Sequence, residues 1–181
     1  LHVCDQNLEQ IRPEKITSTH NLLVDVCQAA KFEGESIIKN YPQDRNNNEV
    51  ICTALARSFA DIGDIIRGKD LYLGDRKEKV KLEENLKNLF KNLYKELTKD
   101  NEAVKTRYDN DEKDGNYYQL REDWWDLNRH DVWKAITCKA KEADKYFREK
   151  TSEGNECTVK KCKCLNGDPP TNLDYVPQYL R

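Results

Sequence analysis

The chain has no methionine and few of the residues that most often bend a backbone or carry out chemistry. In 181 residues there are seven glycines, five prolines and three histidines. No apolar run approaches the roughly 18 residues that a membrane span needs, so we expect no direct membrane insertion by this segment. Basic residues are not in excess either: 31 lysines and arginines face 33 aspartates and glutamates. This balance argues against a nucleic-acid partner, because nucleic-acid-binding domains concentrate positive charge.

Recognisable catalytic motifs are also absent. There is no Gly-x-Ser-x-Gly elbow, no phosphate-binding glycine loop and no His-Glu-x-x-His pair. The triplet Arg129-His130-Asp131 could suggest a dyad, but consecutive helical side chains point about 100° apart, so we expect a solvated histidine. The sequence therefore predicts no enzyme and no cofactor. We assign helix capping and ion pairing to three nearby aspartates, Asp61, Asp64 and Asp70.

Cysteine is abundant by comparison. The seven are Cys4, Cys27, Cys52, Cys138, Cys157, Cys162 and Cys164. Zinc sites favour paired Cys-x2-Cys turns, which do not occur here, so the spacing favours disulfides, with zinc as the alternative. The odd number means that one cysteine lost its partner by truncation, pairs between chains or stays free. We expect Cys4 to be the unpaired one, and the other six are disulfide candidates.

Hydrophobic periodicity predicts four helices and no strand. The helices cover residues 17–40, 50–67, 76–99 and 117–150. Residues 100–116 are highly charged and contain a glycine, which predicts a mobile loop, and the last thirty residues read as loop. The predicted fold class is all-α.

Two cysteine-bearing helical blocks, residues 51–68 and 124–138, hold all three tryptophans and the densest aliphatic stripe. Gly63 lies inside the first block, where glycine costs about 1 kcal/mol relative to alanine, so it predicts a close helix–helix approach or a break. We expect the core to be organised around these blocks and the third helix. The scaffold candidates are Ile62, Ile66, Leu86, Leu93, Trp124 and Trp133.

Two sets of lysines are candidates for binding an acidic partner. One set opens the third helix, and the other interleaves with the late cysteines; they are Lys77, Lys79 and Lys81, and Lys160, Lys161 and Lys163. On a loop tied by disulfides, the second set would present fixed positive charge to a sulfated glycan or acidic receptor. The simpler interpretation is a solvated run of charge that Glu153 and Glu156 compensate.

Several blocks together resemble a known family. Residues 61–68 (Asp-Ile-Gly-Asp-Ile-Ile-Arg-Gly), Trp124-Trp125 with residues 132–138, and residues 177–181 (Pro-Gln-Tyr-Leu-Arg) are similar to signature blocks of Duffy-binding-like domains. Residues 1–5 and 22–27 match further blocks of the alpha class. That class occurs in the variant erythrocyte membrane antigens of Plasmodium falciparum. The match runs through essentially the whole chain in order.

The resemblance implies an α-helical, disulfide-braced adhesion domain built from three subdomains. Residues 1–181 would form a single partial domain, truncated at both ends, with most of subdomain one and the start of subdomain two. It implies display on the extracellular face of the infected erythrocyte. The implied partners are a host receptor (a protein, a blood-group sugar or a heparan-sulfate-like glycan), host antibodies and neighbouring domains of the antigen. The alternative is a structural head-region module that positions an adjacent receptor-binding domain and is an antibody target.

The resemblance also suggests disulfide pairings. Cys52 would pair with a cysteine of the late loop, with Cys164 as the candidate, and Cys138 would take Cys157 or Cys162. Cys27 is left without an assigned partner. We expect specificity to lie in exposed loops, namely residues 71–74, 100–116 and 151–171, because such loops tolerate change.

Overall fold

The computed structural model describes residues 18–41, 48–70 and 76–181. Within them the chain forms six α-helices, one short hairpin and two single 3₁₀ turns, Leu173–Tyr175 and Gln178–Leu180. Cys4, the first residue of the first predicted helix (Thr17) and the loop at 71–74 lie outside the described residues. The helices are α1 (Thr19–Asn40), α2 (Asn48–Arg67), α3 (Arg76–Thr98), α4 (Glu102–Arg107), α5 (Asp109–Asp114) and α6 (Tyr118–Ile136).

Helix α1 lies against α6, the central helix of the fold. The Ser18 side chain accepts a hydrogen bond from the Asn21 amide at 3.4 Å and so caps the start of α1. At Gly34 the two helices come so close that an added Cβ would lie 2.0 Å from the carbonyl oxygen of Ile136. Glycine is therefore the residue that permits this crossing. The buried stripe of α1 contains Leu22, Val26, Ala29 and Ala30.

Helix α2 packs against α6 through aromatic rings. Phe59 lies 5.1 Å, centroid to centroid, from both Trp125 and Trp133. A Cβ added to Gly63 would lie 2.8 Å from the Trp125 ring, which confirms the first of its two predicted roles, close helix–helix approach. Each ring buries roughly 150–250 Å², worth about 4–6 kcal/mol as an upper estimate. All six scaffold candidates are in this core: Ile62, Ile66, Leu86, Leu93, Trp124 and Trp133.

Helix α3 is the amphipathic helix that its leucine spacing predicts. Its buried face packs on α4 and α6, with Phe90 6.4 Å from Trp124 in an edge-to-face arrangement. Leu97, the last leucine of the stripe, is 39 % exposed because α3 ends one residue later. The stripe serves packing within the chain. Its buried members are Leu82, Leu86, Leu89 and Leu93.

The prediction of a mobile loop at 100–116 is wrong, because α4 and α5 occupy most of it. Asn101 caps α4 by accepting a hydrogen bond from the Val104 amide at 3.2 Å. Asp111 is buried and accepts hydrogen bonds from the Gln119 and Leu120 amides, at 3.1 and 2.7 Å, at the start of α6. Capping side chains thus order a stretch whose charge suggested a loop.

The fourth predicted helix is also too long, since α6 ends at Ile136 rather than continuing to 150. Beyond it, the Asp144 carboxylate accepts a hydrogen bond from the Lys141 amide at 2.6 Å. Such local side-chain bonds offer the backbone an alternative to the helix. The apolar pattern of that predicted helix places Leu127 and Phe147 on its buried side, but Leu127, within α6, is 80 % exposed, and Phe147, beyond the end of α6, is 53 % exposed.

The expectation of no strand is corrected as well. Strands β1 (Val159–Lys160) and β2 (Lys163–Cys164) form an antiparallel hairpin, and Lys150 pairs with Glu156 as an isolated bridge. Two-residue strands are too short to produce an alternating pattern. As for membrane insertion, no helix among the described residues is long and apolar enough to cross a bilayer.

Candidate receptor-binding surface

The β1–β2 hairpin carries the late lysines. Its register places Val159 opposite Cys164 and Lys160 opposite Lys163. The turn residues Lys161 and Cys162 both have positive φ, at 52° and 60°. Two-residue turns with positive φ at both positions normally use asparagine, aspartate or glycine. Side chains in this conformation persist when the surrounding structure holds them.

Two disulfides hold the hairpin, and their pairing corrects part of the expectation. Cys52 of α2 is bonded to Cys162 at the turn, not to Cys164, while Cys157 and Cys164 are bonded across the base. The expectation that Cys52 pairs with a cysteine of the late loop is confirmed. The cysteine is Cys162 because the turn directs that side chain to α2. The Cys52–Cys162 bond joins residues 110 positions apart, and in the chain-entropy model such a loop is worth about 4.7 kcal/mol.

Two disulfide candidates are free thiols. Cys138 is exposed and Cys27 is half-buried. The partners suggested for Cys138, Cys157 and Cys162, are taken by other cysteines. Burial, with a smaller contribution from Asp131, raises the pKa of Cys27 to about 11. Cys27 is therefore a poor nucleophile at neutral pH.

The hairpin brings two of its three lysines together. Lys160 and Lys163 are directly opposite, so their Cβ atoms are about 5 Å apart on one face. Like charges in this arrangement destabilise a hairpin, and here the two disulfides offset that cost. The third, Lys161, lies 3.1 Å from Glu142, an exposed ion pair of small energetic weight. Glu153 and Glu156 form no ion pair with these lysines among the described residues.

The other lysine set lies apart, at the start of α3. Lys79 makes an ion pair with Asp70 at 2.9 Å, whereas Lys77 and Lys81, one helical turn apart, are exposed. Helical geometry therefore separates the three lysines. Lys77 and Lys81 lie on one face of α3, and Lys79 points towards Asp70, just after the end of α2.

Helix α6 also carries a buried charge cluster that the sequence analysis missed. The Arg129 guanidinium donates from Nε and Nη2 to the two carboxylate oxygens of Asp174, at 2.7 and 2.8 Å. Trp125 Nε1 donates to the same carboxylate at 2.9 Å, and Arg129 Nη2 also donates to the Thr171 carbonyl. Arg121, Trp125 and Arg129 recur every fourth residue of α6. This spacing could have placed both arginines on the buried face.

The cluster extends to the end of the chain. Arg67 donates to the Asp174 carbonyl and to the Asp64 carboxylate, and Arg181 lies 2.7 Å from Asp64 and 3.2 Å from Asp61. Burial raises the pKa of both aspartates, while the Arg181 charge opposes this rise. The segment from Thr171 to Arg181 is thereby fixed across α2 and α6.

The remaining polar candidates have structural partners. The side chain of His130 is 42 % exposed, so it is solvated as expected, and its Nδ1 also lies 2.9 Å from Asp168 Oδ1. Asp61, Asp64 and Asp70 make ion pairs, as expected. In the three described stretches, no group of three or more His, Cys, Asp or Glu side chains could hold a metal ion.

Comparison with known proteins gives one family. The family model for the Duffy binding domain matches residues 1–181. Among curated proteins there is no match.

Several solved structures share the fold. The NTS-DBL1(alpha-1) domain of Plasmodium falciparum membrane protein 1 (PfEMP1), varO strain, is 45% identical with a TM-score of 0.83, over 99% of this chain and 40% of that one. An ICAM-1-binding PfEMP1 DBLbeta domain is 35% identical with a TM-score of 0.73, and the match covers 99% of this chain and 39% of that one. A PfEMP1 DBLb domain bound to human ICAM-1 is 32% identical with a TM-score of 0.64, and the match covers 99% of this chain and 34% of that one.

This chain thus spans about two fifths of the first structure's length. Its identity is higher to the DBL1alpha domain than to the two DBLbeta domains, in agreement with the alpha-class resemblance. Duffy-binding-like domains of PfEMP1 are adhesion modules and not enzymes. The chain belongs to the Duffy binding domain family, as a Duffy-binding-like domain of the PfEMP1 type.

Proposed function

We propose that this chain is part of a single adhesion domain that binds a host cell-surface receptor from the outer face of the infected erythrocyte. Its hairpin lysines would contact an acidic receptor group, and a sulfated, heparan-sulfate-like glycan is the chemistry that fits best. The observation that carries this proposal is the pair Lys160 and Lys163, which make no ion pair among the described residues, on a hairpin held by two disulfides.

Preorganisation is the physical reason for choosing this element. A lysine on a flexible loop loses conformational entropy when it binds, whereas a disulfide-held backbone has already lost most of it. Two cations a few ångströms apart match sulfate groups along a glycan chain, and they attract it over roughly a Debye length. Relatives support a receptor partner in general terms, since PfEMP1 DBLbeta domains bind ICAM-1.

The test is retention of the folded protein on immobilised heparin across a salt gradient. We expect the variant Lys160→Ala/Lys163→Ala to bind about 5- to 30-fold more weakly, from about 0.5–1 kcal/mol per exposed charge contact. The matched control is Lys77→Ala/Lys81→Ala, which removes two exposed cations from α3. Retention that is insensitive to salt, or equal losses in both variants, would contradict a role for the hairpin.

The alternative is a structural module that positions a neighbouring receptor-binding domain. The buried cluster around Arg129 and Asp174 favours it, because such clusters specify a rigid arrangement of segments. Binding to red cells, with and without soluble heparin, separates the two functions. Binding that heparin inhibits supports adhesion through the hairpin, and no binding by the folded domain supports the structural function.

A further inference from the structure

A groove of about 700 Å³ opens where the end of α1 meets the start of α2, beside the segment that follows α6. Its floor is aliphatic, formed by Ile37, Val50 and Ala54. Tyr41 and Phe147 line it as well, and the Phe147 ring is 53 % exposed. A large, half-exposed aromatic ring beside an aliphatic floor is typical of a surface that binds a partner.

Two arginines, one in the lining of the groove and one stacked on Phe147, make no ion pair among the described residues. Arg57 lines the groove, is exposed and makes no ion pair among the described residues. Arg148 lies over the Phe147 ring, 5.3 Å from its centroid, and is likewise without an ion pair in the described part of the chain. Both arginines are close enough to Tyr146 to lower its pKa against the larger effect of burial, which raises it. Positive charge therefore gathers at the Phe147 end.

The groove's acidic group lies at the other end. Glu49 precedes Arg57 by eight helical residues, about 12 Å along α2. The groove is thus dipolar, with an apolar floor between a carboxylate and an arginine. A complementary occupant must place its negative charge at the Arg57 end.

We propose that this groove is an interaction surface for a protein segment that places an apolar or aromatic side chain on the floor and a carboxylate beside Arg57. The anchor would lie along Phe147, and Arg148, stacked on that ring, adds positive charge at the same end. Aromatic and arginine side chains that exclude water in this way dominate the energetics of protein interfaces.

The hydroxyl groups of the groove favour a protein segment over a sugar. Thr53 already donates its hydroxyl hydrogen to the Glu49 carbonyl at 3.0 Å, and Ser58 donates to the Glu33 carboxylate at 2.9 Å. A sugar ring presents many hydroxyls that need both donors and acceptors, and the Thr53 and Ser58 hydroxyls, whose hydrogens are already donated, can only accept. An apolar side chain makes no such demand.

The experiment uses 3-phenylpropionate as a minimal probe, with 3-phenylpropanamide as its uncharged counterpart, in NMR titrations of the folded protein. With 11 non-hydrogen atoms, the acid should bind in the ~1–10 mM range. We expect the acid to bind at least about threefold more tightly than the amide. Arg57→Gln should abolish this preference, Phe147→Ala should weaken both probes, and the exposed control Lys99→Gln should change neither.

Three outcomes would overturn the proposal: no binding to the unsubstituted protein, equal binding of acid and amide, or an Arg57→Gln variant that keeps the preference. A heparin disaccharide that shifts the groove signals while phenylpropionate does not would also overturn it, in favour of a glycan site. Because the hairpin lysines are not part of the groove, Lys160→Ala/Lys163→Ala should leave both titrations unchanged. The groove is thereby tested separately from the hairpin.

Discussion

Replacing Asp174 by alanine should destabilise the fold more than any surface substitution, because its carboxylate is fully buried and neutralises Arg129. The substitution removes two hydrogen bonds to the guanidinium and one to the Trp125 indole. Leaving a buried charge without its partner costs about 3–5 kcal/mol. A stranded indole N–H adds about 1–3 kcal/mol, though the two costs overlap. We expect a loss of at least about 3 kcal/mol, or about two orders of magnitude in the folding equilibrium.

The assay is guanidinium unfolding of the disulfide-intact protein, followed by circular dichroism at 222 nm. The matched control is Asp168→Ala, which removes a partly exposed partner of His130 and should cost less than about 1 kcal/mol. If Asp174→Ala does not fold, the variant Arg129→Met/Asp174→Leu decides, because an apolar pair should recover the part of the loss that comes from the unpaired charge and leave only the cost of the stranded Trp125 N–H. The reasoning is refuted if Asp174→Ala costs no more than the control, or if the double replacement is as damaging as the single one.

Two further predictions concern helix packing and the free thiols. Gly34→Ala should lower the free energy of unfolding by about 1–3 kcal/mol, because the added Cβ would meet the α6 backbone, and this outweighs alanine's better helix propensity. The control Gln28→Ala, at an exposed position of the same helix, should not lower it. Iodoacetamide followed by mass spectrometry should label Cys138 before Cys27 at pH 8, since Cys138 is exposed and Cys27 is half-buried. The Cys27 rate should rise about tenfold per pH unit until its pKa of about 11, because only the thiolate reacts. Faster labelling of Cys27 than of Cys138, or none at Cys138, would disprove this assignment.

Local pattern accounts for the parts of the fold that the sequence predicted. The stripes of α1, α2 and α3 repeat at the helical period over five or more turns, long enough for amphipathicity to define the buried face. Gly63 was informative because a glycine within a helix is costly unless a neighbour needs the space, and that neighbour is Trp125. Local pattern did not define where two of the helices begin and end. Asp144 stops a pattern that would otherwise continue as helix, and Asn101 starts one in a stretch that reads as loop.

The candidate site likewise combines features that the sequence shows with features that only the structure shows. The lysines that interleave with late cysteines are visible in the sequence, but the pairing of Lys160 with Lys163 depends on hairpin register. The partner of Cys52 depends on which sulfur the turn directs to α2. The groove combines residues 37–58 with Phe147, which is distant from them in sequence. No local pattern contains that information.

The sequence by itself thus determined the helical class, the aromatic core and the presence of disulfides, because each follows from residue type and periodic spacing, and it indicated the family through the resemblance of several blocks to known signature blocks. Only the tertiary structure decided which thiols pair, which lysines form ion pairs among the described residues and where the buried carboxylate of Asp174 meets Arg129. The physical reason is distance along the chain. Helix propensity and amphipathicity act over a few residues, whereas a disulfide over 110 residues or an ion pair between residues 129 and 174 forms only after the helices have packed.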